Sequence, residues 1–163
     1  MRTQGESKRY FHDRIGYNYR VDGFQGAVLN VKLKYLDRWT ARRQELARLY
    51  RERLEGSDVR IPQDGARCES AYHLFTVWVQ NRDTVREELR RGVQTAVHYP
   101  VPVHLQKAYS HLGYKAGLLQ HTEKACAEVI SMPLFPEMSR EQVLYAAGTL
   151  GDVAGGCVRE SAS

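Results

Sequence analysis

The chain has 163 residues, of which 42% are hydrophobic and 10% aromatic. This composition favours a folded protein over a disordered one, and the length allows one domain, or one domain with a protruding arm. The 24 basic and 19 acidic residues give a formal net charge of +5. Opposite charges are interspersed and no nucleic-acid-binding signature accompanies them, so we predict no nucleic-acid partner.

The cysteines and histidines exclude two further classes of site. The three cysteines are widely separated and include no Cys-x-x-Cys pair, which indicates a reducing compartment. The six histidines do not have the spacing of metal ligands, so we predict no metal site. No hydrophobic run reaches the length of a membrane span, and the polar start is unlike a signal peptide. We therefore predict a cytoplasmic protein without a membrane partner.

The first predicted helix follows a polar lead-in and loop over residues 1–22. Asp22 and Gln25 have the spacing of a capping box, so we expect the helix to begin near Gly23. From there, apolar residues recur at intervals of three and four as far as Leu54, and Gly56 is a suitable stop. The pattern predicts one long helix over residues 23–56.

Residues 57–150 are predicted to form a small α+β domain. Strands are expected at 59–61, 72–79, 95–98 and 131–133, and the second should be central because both its faces are mostly apolar. Helices are expected at 84–92, 104–111, 117–129 and 139–150. Thr84 with Glu87, and Ser139 with Gln142, have the form of capping boxes. This order favours a small sheet with helices packed on one face. Residues 151–163 are predicted to be a flexible tail.

Two short segments carry candidate ligand-binding side chains. Asn18 and Arg20 lie in the loop before the capped helix, where a ligand contact is expected, although they could instead satisfy local backbone and surface charge. His98 and Tyr99 end a predicted strand and enter a turn constrained by proline. Composition alone leaves open whether that turn is structural or functional.

Five separated segments occur in the order of one enzyme family, at residues 16–22, 27–33, 72–75, 97–102 and 131–136. Together they resemble the second half of the DegT/StrS class of pyridoxal-phosphate-dependent nucleotide-sugar aminotransferases, which have fold type I. The likeness runs from about residue 2 to about residue 150. It implies an α+β architecture in which the long helix links a large domain to a small substrate-side domain.

The resemblance also implies roles for the candidate residues. Asn18 would donate its amide to the cofactor phosphate in the neighbouring subunit's active site. Arg20 would approach the substrate phosphates or organise the loop. His98 and Tyr99 would lie near the nucleotide-sugar, whereas Tyr72 and His73 would belong to the core and to the layer behind the site. Because the cleft is shared between subunits in this family, the complete enzyme is expected to be a homodimer.

The same resemblance indicates what this chain does not contain. In the family, the lysine that forms the Schiff base with the cofactor precedes the segment matching residues 16–20. None of the six lysines here, Lys8, Lys32, Lys34, Lys107, Lys115 and Lys124, matches that position. We therefore expect no catalytic residue and no covalent cofactor attachment in this chain, which would be inactive alone and could pair with a separate N-terminal half. The alternatives are a non-catalytic interaction or regulatory module, and a truncated gene product without a function of its own.

Overall fold

The computed structural model describes residues 6–8, 10–14 and 16–161, which fall into two compact units, Met1–Arg38 and Trp39–Ser163. In the first unit, strands β1 (Glu6–Lys8) and β2 (Phe11–His12) pair antiparallel. Helix α1 (Gly23–Leu33) follows. The Asp22 carboxylate accepts a hydrogen bond from the Gln25 backbone N–H at 2.8 Å, which confirms the predicted start of the helix.

The predicted single helix over residues 23–56 is wrong, because the chain turns after Leu33 and resumes as α2 (Leu36–Leu54). The N–H of Lys34 bonds to the carbonyl of Val31, and that of Tyr35 to the carbonyl of Lys32. These i→i−3 bonds tighten the end of the helix and interrupt the α-helical hydrogen-bond pattern. Because the apolar spacing continues across the break without Gly or Pro, the sequence pattern does not reveal it.

The second unit is organised around two antiparallel strands, β3 (Phe75–Trp78) and β4 (Val129–Met132). They pair in register from Phe75 opposite Met132 to Trp78 opposite Val129. Single bridges join Arg60 to Trp78 and Ala96 to Ser131 on the two outer edges. The predicted central position of β3 is therefore confirmed, whereas the predicted strands at 59–61 and 95–98 shrink to one bridge each. Pro62 and Pro100 follow them closely and have no N–H with which to extend a ladder.

Three helices cover one face of this sheet, as predicted: α2, α3 (Arg82–Leu89) and α5 (Arg140–Ser161). The prediction is wrong for α4 (Gln120–Glu128), which lies beside the other face with Thr76 and Trp78. Their buried apolar side chains form one core with the buried residues of the strands. The core side chains of these elements include Leu46, Tyr50, Phe75, Val77, Val85, Leu89, Ile130, Val143, Ala147 and Leu150. Because side chains alternate along a strand, Thr76 and Trp78 point to the opposite face.

The last helix is longer than predicted. The sequence predicted that it ends near residue 150 and that a flexible tail follows, but α5 continues to Ser161. Leu150 and Ala154 are buried, and Cys157 packs against the core, so the apolar spacing of three and four outweighs the glycines in this segment. The predicted capping box is confirmed: the Ser139 hydroxyl accepts from the Gln142 N–H, and the Gln142 side chain accepts from the Ser139 N–H.

Three other predicted elements differ. Helix α3 begins at Arg82 after Asn81, so Thr84 lies inside the helix and the predicted cap at Thr84 is wrong. The predicted helix at 104–111 is a pair of 3-10 helices, Val103–Leu105 and Lys107–Leu112. Helix α4 (Gln120–Glu128) ends where β4 begins. Among the described helices, none is long and apolar enough to cross a membrane.

Tyr50 joins the helices to the sheet and gives a test of the fold. Its ring stacks on that of Phe75 at 4.7 Å, and its hydroxyl donates to the Pro133 carbonyl at 2.8 Å. Burial raises the pKa of Tyr50 well above its ordinary value, so the hydroxyl stays protonated as a donor.

We expect Tyr50→Phe to lower the free energy of unfolding by about 1 kcal/mol, because it removes this hydrogen bond and keeps the ring. Urea denaturation measures the difference. Tyr109→Phe is the matched control, since Tyr109 is 44% exposed and should change stability by less than about 0.5 kcal/mol. Equal stability of Tyr50→Phe and the unsubstituted protein would contradict the assignment.

Candidate functional site

In the first unit, the two predicted ligand residues contact each other. The Arg20 Nε donates to the Asn18 side-chain oxygen at 3.0 Å, and both side chains are exposed. Because Arg20 occupies the oxygen of the amide, the NH₂ group of Asn18 faces away from Arg20 and is available as a donor to an anion. The Asp22 cap fixes the chain just beyond this pair. The segment therefore presents an amide donor and a cation beside a helix start.

In the second unit, His98 and Tyr99 form the turn that the sequence predicted. The peptide bond between them is cis, and their rings meet edge to face with centroids 5.5 Å apart. The Nδ1 atom of His98 lies 2.8 Å from the Ser131 hydroxyl. Tyr99 is 71% exposed and Ser131 is buried, so the imidazole is held from behind while the phenol faces outward.

A cavity of about 440 Å³ lies beside this turn. It occupies the face of the sheet opposite to the main core, between β3, β4 and α4. Its walls are formed by Thr76, Trp78, His98, Tyr99, His121, Thr122, Ala125, Cys126 and Val129. A mainly apolar surface with a few hydroxyl and imidazole groups is typical of a site for a small organic ligand.

Helix α4, which forms one wall of the cavity, is tied to the preceding loop by Glu123. The Glu123 carboxylate accepts from the backbone N–H of Gly117 at 2.8 and 3.0 Å and from that of Leu119 at 3.2 Å. The side chain of His104 is almost completely buried, and its Nε2 atom lies 3.1 Å from the same carboxylate. The hydrogen bond from Gly117, followed by those from His104 and Leu119, lowers the pKa of Glu123.

Sequence reasoning missed Glu123 and Ser131. An acidic residue in the first turn of a helix was a detectable signal for Glu123, because helix N-termini favour carboxylates. No local pattern marks Ser131, since its contact with His98 joins residues separated by 33 positions in the chain. Both residues support the cavity from outside its apolar surface.

Tyr72 and His73 differ from each other in environment. Tyr72 packs against the core, as expected, and its hydroxyl donates to the Asp64 carboxylate. Burial, followed by this hydrogen bond, raises the pKa of Tyr72. His73 is exposed, so it does not belong to the core, and its expected place in the layer behind the site stays a prediction. Tyr72 has a φ of 46° and β3 begins only at Phe75, so the strand alternation does not extend back to His73.

The six lysines of the chain share one environment. All six, Lys8, Lys32, Lys34, Lys107, Lys115 and Lys124, are exposed. A lysine that attacks a carbonyl near neutral pH is normally desolvated or placed beside another cation, which keeps its amine deprotonated. Within the described ranges, no group of three or more metal-ligating side chains occurs.

The four predicted site residues form two pairs. Asn18 and Arg20 are joined by a hydrogen bond in the unit Met1–Arg38. His98 and Tyr99 line one cavity in the unit Trp39–Ser163.

Comparison with known proteins identifies the family. The profile of the DegT/DnrJ/EryC1/StrS aminotransferase family matches residues 1–150. The chain belongs to this family. It is 41% identical over 152 residues to the erythromycin biosynthesis sensory transduction protein EryC1 of Saccharopolyspora erythraea. It is 38% identical over 156 residues to a pleiotropic regulatory protein of Geobacillus stearothermophilus. It is also 38% identical over 146 residues to the dTDP-3-amino-3,4,6-trideoxy-alpha-D-glucose transaminase of Streptomyces venezuelae.

Those matches cover 92%, 93% and 88% of this chain but only 42%, 42% and 38% of the respective relatives. The chain therefore spans about two fifths of the length of these family members.

Solved structures confirm the α+β fold inferred from the resemblance. DesV of S. venezuelae, in complex with a ketimine intermediate, has a TM-score of 0.86 and 37% identity over 94% of this chain and 42% of its own. An aminotransferase of the same family from Brucella abortus has a TM-score of 0.80 and 31% identity, over 93% of this chain and 41% of its own. The family is pyridoxal-phosphate-dependent, and NtdA from Bacillus subtilis was solved with bound cofactor PMP.

The Glu123 contacts predict a pH dependence of the loop before α4. Because the pKa of Glu123 is lowered in the folded protein, its stabilising contribution is present above its ordinary pKa of 4.5 and is lost as pH falls through the lowered value. We expect the hydrogen-exchange protection of the Gly117 amide to decline below about pH 4.5. Glu123→Gln should reduce that protection already at neutral pH and remove its pH dependence.

Glu87→Gln is the matched control. Glu87 forms an exposed i,i+3 pair with Arg90 on α3, so its substitution should leave Gly117 protection unchanged. Protection of Gly117 that is identical in the Glu123 variant and the unsubstituted protein would contradict the proposed contact.

Proposed function

We propose that this chain is the C-terminal part of a pyridoxal-phosphate-dependent nucleotide-sugar aminotransferase, and that it supplies the substrate-side domain. The complete enzyme would transfer an amino group from an amino acid, glutamate in our expectation, to a keto-sugar nucleotide. The observation that carries the proposal is the family match over residues 1–150, combined with a cavity at the predicted residues His98 and Tyr99. Relatives named as dTDP- and UDP-sugar aminotransferases support the substrate class.

In this proposal, Asn18 and Arg20 bind phosphate. The Asn18 NH₂ group faces away from Arg20 and fits a phosphate oxygen as an uncharged donor. Arg20 adds a positive charge that favours the same anion or the phosphates of the substrate. Pyridoxal phosphate, when bound, supplies the electron sink for amino transfer. The loop of this chain orients it and does not hold it covalently.

His98 and Tyr99 would bind the nucleotide-sugar. The cavity beside them provides an apolar wall from Trp78 and hydrogen-bonding groups from the imidazole and phenol rings. An apolar wall positions a sugar ring or a base, whereas the polar groups select among sugars by the orientation of their hydroxyl groups. Since Tyr99 is largely exposed, its hydroxyl is accessible to a ligand that enters from solvent.

The lysine that holds the cofactor would come from polypeptide outside these 163 residues. The exposure of all six lysines supports this assignment, as does the two-fifths coverage of the relatives. That polypeptide would be the remainder of a longer chain or a separate N-terminal half. We also propose a cytoplasmic homodimer, in which Asn18 serves the site of the neighbouring subunit.

Reductive trapping tests the lysine assignment. We incubate the 163-residue chain with pyridoxal phosphate, reduce it with borohydride and map the labelled lysines by peptide mass spectrometry. Because all six side chains are solvated, we expect weak labelling spread over several of them. Saturating modification of one lysine at stoichiometric cofactor, lost in its Lys→Arg variant, would contradict the assignment.

Substitution of Asn18 tests the cofactor contact in the complete enzyme. We expect Asn18→Ala to weaken retention of pyridoxal phosphate about tenfold, as the loss of one hydrogen bond to a charged group would. Absorbance after dialysis measures retention, and thermal unfolding reports on folding. Gln80→Ala is the matched control, since Gln80 is an exposed amide outside both candidate segments. Unchanged retention in Asn18→Ala would remove Asn18 from the cofactor site.

A non-catalytic interaction or regulatory module is the second candidate. The names of two relatives, a pleiotropic regulatory protein and a sensory transduction protein, favour it. In that case the chain would alter the turnover of a full-length relative such as DesV. The His98→Ala variant of the 163-residue chain would alter that turnover equally well, because regulation would not need the cavity. Loss of the effect in His98→Ala would favour the aminotransferase proposal.

A further inference from the structure

Ser131 is a buried hydroxyl held at a fixed position in the sheet. It lies on β4 opposite Thr76 of β3. On its other edge, its N–H donates to the Ala96 carbonyl at 2.8 Å, and its carbonyl accepts from the Ala96 N–H at 3.1 Å. Its relative exposure is 4%. Because both edges of the strand are paired at this residue, the backbone of Ser131 is held at a fixed position relative to Ala96, two residues before His98.

The hydroxyl of Ser131 lies 2.8 Å from the Nδ1 atom of His98, and the direction of this hydrogen bond determines the tautomer of the imidazole. If Nδ1 carried the proton, it would donate to the serine oxygen, and the serine hydrogen would need a second acceptor. Within the part of the chain that the structure describes, the Ser131 hydroxyl makes no other hydrogen bond. If Nδ1 is unprotonated, the serine donates to it and both buried groups are satisfied.

We infer that Ser131 is a positioning residue that holds His98 as the Nε2–H tautomer, so that His98 offers a hydrogen-bond donor to the ligand in the cavity. The group that it would recognise is an acceptor oxygen, from either the sugar or the diphosphate of a nucleotide-sugar. Neutral His98 then has no lone pair directed at the ligand and does not serve as a proton acceptor there. This inference concerns the substrate site and rests on the proposed function.

The tautomer can be measured without any ligand. We label histidine with nitrogen-15 and record long-range proton–nitrogen NMR spectra of the complete protein, in which pyrrole-like and pyridine-like nitrogens give distinct signals. We expect Nε2 of His98 to be pyrrole-like and Nδ1 to be pyridine-like. His98→Gln assigns the signals by their disappearance. A protonated Nδ1 in the unsubstituted protein overturns the inference.

Substitution of Ser131 tests whether the hydroxyl is the cause. Ser131→Ala should give a mixture of the two tautomers, and Ser131→Thr, which keeps the hydroxyl, should restore the Nε2–H form. A purely structural role for Ser131 would change the melting temperature but not the tautomer. An unchanged tautomer in a folded Ser131→Ala variant overturns the inference. If that variant does not fold, the spectrum of the unsubstituted protein still decides the tautomer.

A binding experiment distinguishes a failure of this inference from a failure of the proposed function. The probes are dTDP-glucose and dTDP, and calorimetry measures their binding to the complete enzyme. His98→Gln places an NH₂ donor near the Nε2 position and should retain most of the affinity, whereas His98→Asn cannot reach it and should lose about tenfold. A loss for both probes assigns the diphosphate oxygen, and a loss for dTDP-glucose alone assigns the sugar oxygen. Equal affinity of the Gln and Asn variants contradicts donation from Nε2. If the unsubstituted enzyme binds neither probe, the proposed function fails, while the spectra still decide the tautomer.

Discussion

The antiparallel pairing of β3 with β4 is the interaction on which the second unit depends. Successive side chains of a strand point to opposite faces, so one short register creates two different environments. Phe75 and Val77 enter the core, where Tyr50 stacks on Phe75. Thr76 and Trp78 face the other way and line the cavity. A shift of the register by one residue would exchange the two faces, and the core and the candidate site would be lost together.

The candidate site combines a rigid support with accessible ligand groups. His98 lies in an irregular turn, but Ser131 fixes its ring from a strand whose two edges are both paired. Glu123 supports α4 in a comparable way, since its carboxylate is hydrogen-bonded to two backbone amides and to His104. Tyr99 stays exposed in front of these supports. Binding groups on loops are most selective when the surrounding elements hold their geometry. This division of roles agrees with the proposed substrate-side function.

The loop before α1 also holds its ligand-binding side chains in a defined position, but with fewer contacts. The Asp22 cap fixes the start of the helix, and the hydrogen bond between Arg20 and Asn18 orients the amide. An ordered amide loses less conformational entropy when it binds an anion than a freely rotating one does. In the proposed enzyme, the two units therefore bring different chemistry: a phosphate contact from the first and a sugar-binding surface from the second.

Local signals in the sequence determined the helix caps at Asp22 and Ser139, the central strand around Phe75 and the pairing of His98 with Tyr99 in one turn. Each depends on residues a few positions apart, so spacing and side-chain chemistry are sufficient. Ordered matches to one family added the roles expected of Asn18, Arg20, His98 and Tyr99. Only the tertiary structure decided that helix α5 continues past its glycines, that the long helix breaks after Leu33, and that Ser131 lies behind His98. The burial of Leu150 and Ala154 against the core extends α5, and a hydrogen bond across 33 positions places Ser131 behind His98. The break after Leu33 is made by two i→i−3 bonds that the continuous apolar spacing does not reveal. In each case the deciding contact has no signature in the local residue pattern.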